Sequence, residues 1–121
     1  MENHDDTYYL YDLRVEVIAS TDGRPMVCRH HVGDSFTVTD EDLIGFPSGV
    51  RFSMYSMAAL LPLLPAKQRE LDKNDWMYTD AIIACPDPHC GGQFRITRGE
   101  RRAYRHSEQT VVPLSAEPGA K

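Results

Sequence analysis

The sequence contains no uninterrupted apolar run near the roughly 18 residues that a membrane-spanning helix requires, which excludes a helical membrane protein. Cysteine is scarce, three residues in 121. A chain of this length buries enough surface to fold without staples, so a disulfide-built secreted scaffold is excluded as well. Positive charge is in deficit: 13 Lys and Arg stand against 18 Asp and Glu, a formal net charge of −5. That balance argues against a globally basic nucleic-acid binder. The opening Met-Glu-Asn-His-Asp-Asp is acidic and lacks the basic and apolar regions of a signal peptide. No internal repeat is present. The expectation is one globular domain in a reducing compartment, the cytoplasm, with no membrane partner.

What is there is patterned mainly for strands. Leu13, Val15 and Val17 alternate with Asp12, Arg14 and Glu16, so Tyr8 to Ala19 reads as a half-buried strand. Thr21-Asp-Gly-Arg-Pro25 is a turn, Met26 to Val32 reads as extended, and Ser35 to Thr39 alternates again. Leu43 to Val50 is broken by Gly45, Pro47 and Gly49 and reads as irregular. Ser53 is an N-cap candidate for a helix carrying Met54, Met57, Leu60 and Leu61, which Pro62 ends or kinks. Ala66 to Leu71 reads as a second short helix. Trp76 to Cys85 reads as a strand whose Ala81-Ile-Ile-Ala84 centre is buried on both faces, and Gln93 to Thr97 as its return. The fold class is α+β: a single small domain with a mainly antiparallel sheet or partly open barrel and one helical insertion. The boundaries expected are a disordered stretch at 1–7, the domain at 8–100 and a flexible tail at 101–121.

Two short segments concentrate the metal-binding and nucleophilic groups. In Met26-Val-Cys-Arg-His-His31, an extended backbone puts Met26, Cys28 and His30 on one face. Thioether, thiol and imidazole together suit zinc or copper(I), while the plainer reading is an inward face of small sulfur residues. In Cys85-Pro-Asp-Pro-His-Cys90, two prolines stiffen a loop that holds two thiols, His89 and Asp87. The Cys-x4-Cys spacing is not the Cys-x2-Cys of a zinc knuckle. If both segments meet at one end of the sheet, Cys28, His30, Cys85, Cys90 and His89 are the metal-ligand candidates, with His31 and Asp87 as substitutes or outer partners. A metal-free alternative makes Cys85 a catalytic nucleophile with His30 as its base and Asp87 or Asp34 as the orienting carboxylate.

Two further features point to partners. Arg95, Arg98, Arg101, Arg102 and Arg105 form a cationic run that suits an anionic ligand, an RNA backbone or the acidic half of a second subunit. No aromatic platform accompanies it beyond Phe94 and Tyr104, which weighs against nucleic acid. The Met- and Leu-rich stretch from Phe52 to Leu64 is a core face, or else a pocket wall or homodimer face.

Three pieces resemble a small, largely uncharacterised family of bacterial and archaeal proteins built round a Cys-Pro-Asp motif. They are Leu13-Arg-Val-Glu-Val-Ile18, His30-His-Val-Gly-Asp-Ser-Phe36 and Ala84-Cys-Pro-Asp-Pro88. Leu61-Pro62 falls where the family has Tyr-Pro in its helix, and the similarity covers about residues 10–98. The family has Cys where this sequence has Met26 and Ser53, so Cys28 and Cys90 are additions. The resemblance carries no established activity; it implies a shared fold and directs attention to His30, Asp34, Cys85 and Asp87. The leading functional expectation is a small intracellular binding protein with a Cys/His transition-metal site, zinc before copper(I). The alternatives are a small accessory biosynthetic enzyme using Cys85 and His30 beside the Met-rich helix, and a protein-protein interaction module.

Overall fold

The alternation through Leu13, Val15 and Val17 makes one side of a long strand apolar, and that strand anchors the fold. In the computed structural model, which describes residues 5–79 and 81–114, it is β1 (Thr7–Ile18). Leu13, Val15 and Val17 are buried at 2% exposure or less. β1 pairs with β2 (Ser35–Thr39) on one side and with β5 (Gln93–Arg105) on the other. Short strands β3 (Leu43–Gly45) and β4 (Ile82–Ala84) close the two edges, giving an antiparallel order β3-β2-β1-β5-β4. The sheet is open, and its edge strands are three residues long, which limits edge-to-edge association.

Register places apolar side chains opposite one another. Val15 faces Phe36 on one neighbour and Ile96 on the other, Leu13 faces Val38, and Val17 faces Phe94. These cross-strand pairs form the core floor. The cover is helical: α1 (Met54–Leu60) brings in Leu60, and α2 (Leu64–Lys67) brings in Leu64. Ser53 caps α1, its hydroxyl accepting the Tyr55 N–H at 3.1 Å. Pro65 sits in the first turn of α2, where its missing N–H costs nothing.

Several expectations are corrected. Trp76–Thr79 is a single helical turn, α3, so only Ile82–Ala84 of the expected strand pairs. Asp75 is the reason: its carboxylate accepts the Met77 N–H at 2.9 Å and its carbonyl the Tyr78 N–H at 2.9 Å, winding the chain before the strand begins. The Ala81–Ala84 centre is not buried on both faces, because β4 is an edge strand and Ile82 remains 43% exposed. Leu43–Gly45 is a strand rather than irregular. β5 runs on to Arg105 instead of ending near residue 100, because Thr7 to Tyr11 pair with Arg105 to Arg101. His106–Gln109 then forms one helical turn, α4. Of the expected ends, Thr7 lies in β1 and residues 101–109 in β5 and α4; residues 1–4 and 115–121 lie outside the described residues. Met54 and Tyr55 point outward, 72% and 69% exposed, so only part of the Met-rich face is core.

Candidate metal centre

Cys85 follows β4 directly, and its N–H donates to the Gly92 carbonyl at 3.1 Å, so the ladder continues to the base of the loop. Pro86 and Pro88 remove two donors and stiffen the turn. Asp87 closes it, accepting the His89 N–H on its carboxylate at 2.9 Å and the Cys90 N–H on its carbonyl at 3.0 Å. Cys90 is thereby turned back toward Cys85.

The second segment lies against this loop. Gly91 N–H donates to the Pro25 carbonyl at 2.8 Å, and the Val27 N–H points at Cys90 Sγ at 3.4 Å. Residues 26–31 are not a ladder strand, yet they keep the expected alternation: Met26 and Cys28 are half-buried and His30 is buried, while Val27, Arg29 and His31 are exposed. The two segments meet. Cys28, Cys85 and Cys90 bring their Sγ atoms within 4.8 Å of one another. Zinc with Zn–S bonds of about 2.3 Å needs tetrahedral thiolates about 3.8 Å apart, so the sulfurs would draw in by at most about 1 Å.

Cys90 Sγ receives two backbone N–H groups, from Gly92 at 3.3 Å and from Val27 at 3.4 Å. Donors of this kind stabilise thiolate over thiol. At Cys90 burial works against ionisation, but the N–H groups of Gly92, Val27 and Cys28 outweigh it and bring the thiol down to about 7. At Cys85 burial wins, reinforced by the neighbouring thiols, and the group is pushed up to about 11. Burial also raises Cys28. One sulfur is thus ready to ionise near neutral pH, and the other two need a cation beside them. Cys85 is poorly prepared as a metal-free nucleophile.

The histidines fall elsewhere. Among the described residues, neither His30 nor His89 joins the three-sulfur group. His30 is 6% exposed and packed between Phe52 and Phe94 at centroid distances of 4.6 and 5.4 Å. Its Nε2 shares a hydrogen with Ser56 Oγ at 3.2 Å, while its Nδ1 is buried without a partner. Burial holds this imidazole below its ordinary pKa. His89 is exposed, and His31 is exposed with Nδ1 3.6 Å from Asp34. Ser56 carries no sequence signal; only the helix register brings it under His30.

Cys28, His30, Cys85 and Asp87 line a cleft of about 910 Å³, with Phe52 and Arg51 on its walls. The arginine run lies elsewhere and is largely neutralised. Arg101 pairs with Glu70 at 2.6 Å, Arg102 with Asp12 at 2.7 Å and Arg105 with Asp6 at 3.0 Å. Arg98 donates to the Lys67 and Tyr78 carbonyls.

No helix among the described residues is long and apolar enough to cross a membrane. No protein-family model, curated protein or solved structure matches the chain.

Proposed function

We propose that this is a small intracellular metal-binding protein in which Cys28, Cys85 and Cys90 hold one transition-metal ion, zinc before copper(I). The observation that carries the reading is the convergence of three sulfurs within 4.8 Å, with Cys90 held by two backbone N–H groups. Three thiols crowded in a poorly solvated place are mutually unfavourable once ionised, and a divalent cation removes that penalty. Soft thiolates favour zinc and copper(I) over hard cations. The ion would tie the loop after β4 to the segment before β2, so binding would also stabilise the fold. Membership of the Cys-Pro-Asp family belongs to the same proposal, and Cys28 would supply a thiol two residues from where that family has one.

A second arrangement is favoured by the orphaned Nδ1 of His30. In it His30 would be the fourth ligand of a Cys3His site, which is structural rather than open.

Metal analysis of protein purified without affinity nickel tests the reading. One ion per chain, lost in Cys85→Ser, is expected. Folded protein that takes up neither zinc nor copper(I) on titration overturns it. X-ray absorption at the metal edge separates three sulfurs plus oxygen from three sulfurs plus nitrogen, and His30→Phe should remove the nitrogen if His30 closes the site.

A further inference from the structure

With His30 held between Phe52 and Phe94, three sulfurs leave a tetrahedral ion one further position, and the surroundings of that position are specific. Cys28 and Cys85 line the cleft, whereas Cys90 sits behind them, 3% exposed and held by backbone donors. An ion on the three sulfurs therefore borders the cleft. Among the described residues no fourth thiol, imidazole or carboxylate belongs to the group.

The charged groups of the cleft are unequal in what they already bind. Asp34 accepts the His31 N–H at 3.2 Å and lies 3.6 Å from its ring, and Asp87 is used in closing its own loop. Arg29 and Arg51 line the same cleft and have no ion pair among the described residues. Two guanidinium groups without an ion pair offer planar forks of donors that match a carboxylate. The Phe52 ring and Pro86 offer an apolar wall for a short carbon body, and the volume lies within the usual range for small-molecule sites. A zinc ion on three thiolates has a fourth tetrahedral position that a further thiolate fits.

We infer that the cleft admits a small mercaptocarboxylate, its sulfur filling the metal's fourth position and its carboxylate meeting Arg29 and Arg51. The inference rests on the metal reading above. With the ion in place, a thiol taking that position would release its proton to solvent and displace the water holding the place, with no change of oxidation state. Coordination in this way makes a small thiol a thiolate at neutral pH, the form in which it is a nucleophile.

Cobalt(II) substitution with 3-mercaptopropionate as the probe tests this. Saturable binding should raise the thiolate-to-cobalt charge-transfer intensity by about one third, as three sulfurs become four, with a tetrahedral visible spectrum retained. 2-Mercaptoethanol, which lacks the carboxylate, should bind roughly threefold more weakly or worse, and Arg29→Gln/Arg51→Gln should erase that difference. If cobalt binds and its spectrum ignores both thiols, the inference fails while the metal reading stands. Bleaching of the spectrum by extraction of the ion also overturns it, and equal affinity for the two thiols overturns the role of the arginines. If cobalt does not bind, the metal reading fails and takes the inference with it.

Discussion

Gly91→Ala is the substitution with the most to reveal, because it pushes on the contact that assembles the three sulfurs. A Cβ at Gly91 would lie 2.3 Å from the Arg24 carbonyl oxygen, 2.7 Å from its carbon and 2.8 Å from its Cβ. Two of those atoms are backbone, so no side-chain rotation relieves the overlap. The backbone at Gly91 is not left-handed, so alanine brings no torsional strain and the cost is steric alone. Moving the oxygen out to about 3.0 Å, near the closest approach real side chains tolerate, requires a displacement of about 0.7 Å. That shift separates residues 24–28 from the loop and stretches the Gly91 N–H bond to Pro25. Overpacking costs roughly 1–3 kcal/mol, and the weakened hydrogen bond adds about 1 kcal/mol. The expected loss is therefore about 2–4 kcal/mol from a domain stability of about 5–15 kcal/mol. Metal–ligand distances tolerate only about ±0.2 Å, so zinc affinity should fall by at least about tenfold, or 1.4 kcal/mol. Urea unfolding of the metal-free protein reads the first quantity, and competition with a chromophoric chelator reads the second. Gly33→Ala is the contrast. It meets open space but a φ of +97°, so it should cost roughly 1–2 kcal/mol in stability and leave zinc affinity unchanged. A Gly91→Ala protein with the parent's unfolding midpoint and zinc affinity would refute the claim that this contact positions Cys28.

Other perturbations separate the remaining contributions. In the metal-free protein Cys90 ionises near 7 instead of 9.0, so between those values the unfolded chain holds a proton that the folded chain has lost. Stability should rise from pH 7 to 9 and be lost as pH falls through 7. Cys85, pushed up to about 11, acts oppositely above pH 9, so urea midpoints should peak near pH 9, and Cys90→Ser should abolish the rise. Ser56→Ala leaves the buried Nε2 of His30 without its partner and should cost about 1–3 kcal/mol; an unchanged denaturation midpoint would show that the bond contributes nothing. Arg101→Gln breaks an exposed pair with Glu70 and should change stability by less than about 1 kcal/mol, shrinking further in high salt.

The long strands were legible because their side chains alternate over enough residues to leave one choice of face. The capped helix was legible for a similar local reason, with Ser53 before the apolar spacing of α1. The helical turn Trp76–Thr79 is not legible, because its strand-like composition loses to a local Asp75 turn. The far end of β5 is not legible, because its polar residues give no alternation and its strand geometry comes from pairing with the start of β1. At the candidate site the sequence singled out both thiol-bearing segments, and within the first it foresaw which side chains share a face. It did not separate His30 and His89 from the sulfurs, nor find Ser56, Arg29 or Arg51.

Composition, alternation and the stiff Cys85–Cys90 loop are local properties, and the sequence alone determined them: an antiparallel α+β domain with its soft ligands in two short stretches. Whether those stretches touch depends on residues some sixty positions apart, joined by the Gly91–Pro25 and Val27–Cys90 hydrogen bonds at 2.8 and 3.4 Å. Only the tertiary structure decided that. The same packing placed His30 between two phenylalanines instead of among the thiols, because a ring that fills the core and bonds Ser56 is held by its neighbours, whatever its own affinity for metals.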